Sequence, residues 1–594
     1  MRAPAIVRGV KMAASMITAQ RRNRNYRHFF IFLAFFSIFF LARHRATAQR
    51  TPTPVSARAA GGTSGHPTQP RLVVVLVVDQ MRADYVDKFR EHWTGGLKRL
   101  TTQGAWLRNA AYPYAETETC VGHATISTGA FPAAHGIVSN SWWDRTLQKS
   151  VTCTEDSTAK DIAYGGDVKG GDTAEKLLLP AFADELKFQR AGKPRVFTFS
   201  LKARAAIMLA GNKADGATWF DTASGIWATS NAYPLVPFVQ DYVKKHPVSD
   251  DFGKTWSLLL PSPSYLYGDA AKGSVPPSGW EQSFPHVLNG SSGSKSADAK
   301  FYRQWTASPF PNTYLVKLAE TAVDSVGLGK GSAVDYLGVS FSSPDYVAHA
   351  FGPRSREIQD ELSRLDLDLG EFFSFLDRKV GAGNYVVALT ADHGGAPIPE
   401  DMKTMGVDSG WLSLPQVKDH IEKALEPFHF PAPAVAAVDD ADVFFTRGTY
   451  AKLKNDPAAM LAVLDAIETV PGVAAVYRAE ELEDRPATES PIRRAEAASF
   501  FPSRSGDLII VPKPYWSWDF TPAGHTREIG AMHGTPYYYD QRVPLLLMGY
   551  GISHGIDYVP VTPADIAPTL ASLCGITLAS SDGRVLNEVL QKQP

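Results

Sequence analysis

Residues 72–78 read LVVVLVV, an unbroken apolar run that predicts a strand buried on both faces, as in a parallel sheet covered by helices. Asp79 ends it. Shorter apolar runs at 196–200, 336–341, 385–390 and 544–548 are each followed by polar or glycine-rich segments. Helical patterns lie between them; over 355–377, Ile358, Leu362, Leu365, Leu369 and Phe372 recur at three- and four-residue spacing. Alternating strands and helices predict an α/β fold with a mainly parallel central sheet flanked by helices. Ligands of such sheets bind beyond the carboxyl ends of the strands, where Asp79 and Asp392 fall.

Two stretches break this rhythm. Residues 210–310 are dense in Gly, Ser, Pro, Trp and Tyr, and 403–500 carry helical patterns of their own at 415–425 and 457–470. Both read as inserted cap regions within a catalytic domain spanning 71–594. The chain shows no internal repeat, no heptad run and no basic patch suited to nucleic acid. With 44% hydrophobic and 20% charged residues it is globular, and no apolar run after residue 50 approaches the roughly 20 residues that span a bilayer.

The formal net charge of −1 hides a segregation, because the first acidic residue among all 594 is Asp79. Residues 1–48 hold nine basic side chains, and without them the formal charge is −10. An acidic body argues against nucleic acid as a bulk partner. The basic head has the anatomy of an export signal: basic residues up to Arg27, an apolar run over 29–42, and Ala46-Thr47-Ala48 as an A-x-A-like cleavage site. The expectation is a signal peptide at 1–48, a flexible linker at 49–70 and a periplasmic or secreted mature protein. The alternative is an uncleaved N-terminal anchor, the one route to membrane contact. Three cysteines, Cys120, Cys153 and Cys574, are too few for a disulfide framework, and their pairing stays open.

Metal-ligand candidates follow the strands: Asp79, Asp345 and His349 in Asp-Tyr-Val-Ala-His, Asp392-His393, and His533. Asp345 and His349 lie one helical turn apart on one face, and Gly394-Gly395 gives the adjacent Asp392 and His393 the backbone freedom to converge. Mixed carboxylate and imidazole ligation suits Zn²⁺. The small-residue stretch 120–128 reads as a helix with Thr119 at its cap, a hydroxyl in the positive field of a helix N-terminus. A threonine alcohol is a poor nucleophile at neutral pH, so a neighbouring cation is needed to favour its alkoxide.

Val78-Asp79-Gln80-Met81-Arg82, Thr119-Cys120-Val121-Gly122-His123, His135-Gly136-Ile137-Val138-Ser139-Asn140, Lys202-Ala203-Arg204, Asp345-x-x-x-His349, Asp392-His393-Gly394 and His533-Gly534 come in one order along the chain. That order resembles the PafA-type alkaline phosphatases, in the type I phosphodiesterase and nucleotide pyrophosphatase branch of the alkaline phosphatase superfamily. The resemblance implies two zinc ions per chain, one held by Asp345, His349 and His533, the other by Asp79, Asp392 and His393 beside the nucleophile Thr119. It implies that Asn140, Lys202 and Arg204 contact the transferred phosphoryl group. Cys120 departs from the small residue expected after the nucleophile, and a thiol so close to zinc implies sensitivity to oxidation. His123 and His135 read as structural or supporting residues.

Lys202 and Arg204 favour a phosphate monoester, whose additional charged oxygen two cations stabilise, over a diester. The expected activity is hydrolysis of small phosphate monoesters through a phosphothreonine intermediate. A phosphodiesterase or nucleotide pyrophosphatase with the same metals and nucleophile is the nearest alternative. A sulfatase would need Cys or Ser followed by x-Pro-x-Arg, which Cys120-Val121-Gly122-His123 does not match. A non-catalytic secreted binding protein of this fold would be expected to have lost ligands or nucleophile, and none is missing.

Overall fold

Seven consecutive buried residues make Leu72–Val78 the spine of a ten-stranded sheet. Across the sheet the strands run Gly555–Asp557, Ala105–Leu107, Leu545–Gly549, Tyr385–Thr390, Leu72–Val78, Asp335–Phe341, Val196–Ser200, Gly216–Asp221, Ile226–Ser230 and Asp161–Ala163. Each fully buried Val or Leu on this spine is worth about 1.5–3 kcal/mol relative to exposure. This computed structural model describes residues 68–591 except 270, 484–489 and 523. The expected signal peptide, and the linker up to residue 67, lie outside the described residues. Among those described, no helix is long and apolar enough to cross a membrane.

Register brings the chemistry to one edge. Val77 pairs with Ser340 and with Thr390, and Ser340 pairs with Ser200, all in parallel. Four strands therefore end at one level, and the segments leaving them carry Asp79, Asp345, Asp392 and Lys202. The helix Arg356–Leu376, capped by the Ser355 hydroxyl accepting the Ile358 N–H, packs beneath with Ile358, Leu362, Leu365, Leu369 and Phe372 buried, as the spacing predicts.

Two expectations are corrected. The apolar run expected as a strand at 544–548 is Leu545–Gly549, and it pairs antiparallel with both neighbours. Pro544 lacks an N–H for the ladder and stays outside. Gly216–Asp221 and Ile226–Ser230, within the stretch read as an insertion near 210–310, are strands of the main sheet. Each is only five or six residues long and mixes small, hydroxyl and aromatic residues, GATWFD and IWATS, too short and too mixed to show a strand period.

The second inserted stretch has its own core. Val435–Asp439, Asp442–Phe445, Leu508–Pro512 and Val473–Arg478 form a four-stranded antiparallel sheet packed on the helices Leu414–Leu425 and Pro457–Glu468. Ser413 and Asp456 cap these two helices. This core runs past residue 500, taking in Leu508, Ile510 and Trp518. The hairpin turn at Asp439 and Asp440 reaches the main domain, where Asp440 Oδ2 accepts from Ser139 Oγ at 3.3 Å and Asp439 accepts from Ser150 at 2.9 Å.

Candidate active site

Thr119 is the first residue of the helix Thr119–Thr128, and the cap position belongs to Glu118, in extended conformation. The expectation that Thr119 caps the helix is corrected by one residue. Its side chain is fully buried, with the hydroxyl at the helix N-terminus. Small residues let the helix pass against the segment after Tyr385–Thr390; a Cβ at Gly122 would lie 2.1 Å from the Asp392 carbonyl oxygen. Gly129, at φ 73°, ends the helix. Cys120 is bonded to Cys153 in a disulfide, so the free thiol expected beside the metals is absent; Cys574 is the free, buried cysteine.

Six expected metal ligands converge. Asp79, Asp392 and His393 form one group with mutually close ligand atoms, and Asp345, His393 and His533 form a second. His349 stands on the outer side, its Nε2 3.2 Å from Asp345 Oδ1. His393 thus belongs to both of these groups, where the family resemblance implies separate ligand sets, and its ring stacks on that of His533 at 3.7 Å between centroids.

Backbone carbonyls set the imidazoles. His349 Nδ1 donates to Ala531 O at 2.7 Å, His393 Nδ1 to Gly394 O at 2.8 Å and His533 Nδ1 to Thr117 O at 3.0 Å. A carbonyl oxygen only accepts, so each Nδ1 carries a proton and Nε2 is the atom turned to the carboxylates. Burial holds His393 and His533 below the usual imidazole range, hence neutral, whereas at His349 Asp345 outweighs burial and raises it. The bare Nε2 of His393 then faces Asp79 Oδ1 and Asp392 Oδ2, each at 3.5 Å, and that of His533 faces Asp345 Oδ1 at 3.7 Å. Lone pair against lone pair is repulsive unless a cation stands among them. Asp79 Oδ1, Asp345 Oδ1, Asp392 Oδ2 and His393 Nε2 are indeed buried without hydrogen-bond partners. The residues fit a pair of metal sites.

The carboxylates diverge in proton affinity. Burial, reinforced by Asp392, pushes Asp79 well above the usual carboxylate range. Burial is overcome at Asp345 by His349 and Lys202, and at Asp392 by His393 and His123, which hold both carboxyls low.

Lys202 is buried between the groups, its Nζ 2.7 Å from Asp79 Oδ2, 2.6 Å from Asp345 Oδ2 and 3.2 Å from Thr119 Oγ1. Its ammonium binds the two carboxylates and the hydroxyl, in the position of a monovalent stand-in for a cation. Arg204 is half-buried, and its Nε has no hydrogen-bond partner. Asn140 lies beside the helix, its Oδ1 accepting the Cys120 N–H at 2.9 Å.

Sequence reasoning missed Glu118, whose Oε2 accepts from the Asn140 N–H at 2.6 Å and from Ser139 Oγ at 2.9 Å. Its signal was a carboxylate directly before the proposed nucleophile. His123, read as a supporting residue, donates Nδ1–H to Thr119 O at 2.8 Å, with Asp392 Oδ2 3.3 Å from the same nitrogen, and has Nε2 2.8 Å from Ser340 Oγ. His135, likewise, lies buried with Nε2 3.1 Å from Thr125 Oγ1, outside the metal groups.

Sheet and site together put the protein in the alkaline phosphatase-like class of α/β phosphoesterases. Residues 73–536 match the type I phosphodiesterase / nucleotide pyrophosphatase family, and the chain belongs to that family. It is 34% identical over 536 residues to alkaline phosphatase PafA of Elizabethkingia meningoseptica, covering 88% of this chain and 95% of that protein. Alkaline phosphatase PhoV of Synechococcus elongatus is 32% identical over 542 residues, covering 88% and 93%. A crystal structure of wild-type PafA matches with a TM-score of 0.79 at 32% identity, over 88% of this chain and 99% of that one.

Proposed function

We propose that this chain is an exported, zinc-dependent alkaline phosphatase that hydrolyses small phosphate monoesters through a phosphothreonine intermediate on Thr119. The observation that carries the reading is the triple contact of Lys202 Nζ with Thr119, Asp79 and Asp345, which joins the hydroxyl to both ligand groups. Asp345, His349 and His533 would hold one Zn²⁺, and Asp79, Asp392 and His393 the other, with Thr119 beside the second. Zinc bound there supplies Lewis acidity, favouring the threonine alkoxide and offsetting charge on the transferring phosphoryl group.

The chain's own residues do the rest. Thr119 Oγ1 attacks phosphorus, an O–P bond forms, and the bond to the leaving alcohol breaks; water then cleaves the phosphothreonine, releasing phosphate and restoring the hydroxyl. Burial of Thr119 at a helix N-terminus sets a phosphoryl group on its oxygen in the positive field of that helix. Lys202 Nζ, 3.2 Å from that oxygen, supplies a point charge, Arg204 a fork of donors and Asn140 an amide N–H. Lys202 beside the nucleophile, with Arg204 near enough to interact electrostatically with Lys202 and Glu118, supports monoester over diester. Export is supported by the basic head, apolar run and Ala46-Thr47-Ala48 of the sequence.

The test compares kcat/KM of the zinc-loaded mature chain for matched aryl phosphate monoesters and diesters, with Thr119→Ala and EDTA controls. The expected result is monoester preference, lost with Thr119→Ala and with EDTA, and a larger loss on monoester than diester for Lys202→Ala and Arg204→Ala. Diester preference would favour the phosphodiesterase reading that the family also contains, and full turnover by Thr119→Ala would remove the nucleophile assignment.

A further inference from the structure

Asn140 is held from three directions, each time by a residue at or next to a disulfide or by the residue preceding the nucleophile. Its backbone N–H donates to Glu118 Oε2 at 2.6 Å, its backbone O accepts from the Cys153 N–H at 2.9 Å, and its Oδ1 accepts from the Cys120 N–H at 2.9 Å. Cys120 and Cys153 are both fully buried and bonded to each other. Cys120 sits in the first turn of the Thr119 helix; Cys153 follows the strand Lys149–Thr152, paired with Ser141–Asp144 through Ser141 opposite Thr152. The Cys153 N–H to Asn140 O bond continues that ladder by one rung. The disulfide therefore ties the base of the Asn140 hairpin to the N-terminus of the nucleophile helix.

The amide face is what this arrangement controls. With Oδ1 spent on a helix N–H, Nδ2 is the end of the carboxamide left for another acceptor. Free rotation of the Asn140 segment would allow Oδ1, an acceptor, to face an anionic phosphoryl group and repel it.

We propose that the Cys120–Cys153 disulfide, together with Glu118, is a positioning device that fixes the Asn140 carboxamide with its N–H₂ end toward the phosphoryl group on Thr119. This rests on the phosphoryl-transfer reading above. Neither cysteine touches substrate; both act through Asn140. A chain lacking the bridge keeps its sheet and its metal-binding groups, which involve neither sulfur, yet loses what Asn140 contributes.

A double-mutant cycle on the zinc-loaded chain tests this, with an aryl phosphate monoester as probe. Asn140→Ala is expected to lower kcat/KM by about tenfold or more. The paired change Cys120→Ala with Cys153→Ala is expected to cause a loss of similar size with bound zinc unchanged. In the Asn140→Ala background the same pair is expected to cost less than about twofold, the non-additivity of residues acting as a unit. Equal losses in both backgrounds would show a merely structural bridge and overturn the proposal, as would full activity without it. If Asn140→Ala itself were silent, the phosphoryl-contact reading would fall, a result distinct from additivity. Should the cysteine pair fail to fold, Glu118→Gln supplies the second arm: its loss must also vanish in the Asn140→Ala background, and an additive loss overturns the proposal.

Discussion

Two sets of buried carboxylates lie close to the Thr119 helix, and their surroundings differ. Asp79, Asp345 and Asp392 are interleaved with three imidazoles and the Lys202 ammonium. Glu116, Asp440, Asp442 and Glu496 lie around the hairpin of the inserted region, where Glu116, Asp440 and Glu496 feel mainly other carboxylates and Asp442 accepts the Gly506 N–H. In the first set Asp345 and Asp392 are held low by neighbouring nitrogen groups. In the second, burial and mutual repulsion push Glu116 and Asp440 well above the usual range, burial with Asp442 does the same to Glu496, and burial raises Asp442 to about 7. Burial alone thus does not say what a carboxylate is for. The first set is interleaved with nitrogen groups placed to share a cation, although burial raises Asp79 there too, whereas in the second all four carboxyls are raised.

The sharpest way to break that contrast is to remove the shared imidazole. His393→Ala is expected to lower bound metal, read by metal analysis, and to reduce kcat/KM by about 10³-fold or more. Asp442→Asn, in the other set, should leave metal content unaltered. Retained metal in His393→Ala, or lost metal in Asp442→Asn, would erase the distinction.

A second effect concerns pH. The Asp442 carboxyl titrates near 7 when folded against an ordinary 3.8, so between those values the folded chain retains a proton that the unfolded chain has released. Stability from this group falls as pH rises through that window and is level above it. The span is on the order of 4 kcal/mol as an upper bound. Asp442→Asn, measured by chemical denaturation at several pH values, is expected to gain stability over wild type as pH rises from about 4 to 7. A constant difference between the two proteins across the window would mean that Asp442 does not hold the proton.

The smallest change sharpens the first set alone. His123 supports Asp392 from outside the ligand group, and His123→Ala is expected to weaken metal affinity by about 10–100-fold, read by competition with a chelator. Unchanged affinity would make His123 a packing residue.

Strands buried on both faces are legible because they are dominated by β-branched and aromatic residues and carry no charge: 72–78, 196–200 and 385–390 match Leu72–Val78, Val196–Ser200 and Tyr385–Thr390 residue for residue. The direction of Leu545–Gly549 is not legible, since an apolar run reads alike in either orientation and its partners decide. Short edge strands such as Asp161–Ala163 and Gly555–Asp557 lack enough residues for any period. Convergence of the six metal-ligand candidates was foreseeable from strand ends and motif order. The sharing of His393, the Cys120–Cys153 pairing and the grip of Glu118 on Asn140 were not, because each depends on segments meeting in space rather than on spacing along the chain.

The place of Leu545–Gly549 in the sheet bears on how the molecule is made. It lies between Tyr385–Thr390 and Ala105–Leu107, which come much earlier in synthesis. Until it arrives, Tyr385–Thr390 remains an open edge with unpaired backbone groups, a template for association with other chains. His533, twelve residues ahead of Leu545, arrives shortly before it. Closing the sheet and completing the ligand set are therefore one late event. A nascent chain stopped short of that point carries an open strand edge together with a second ligand group that still lacks His533, while Asp79, Asp392 and His393 are already made.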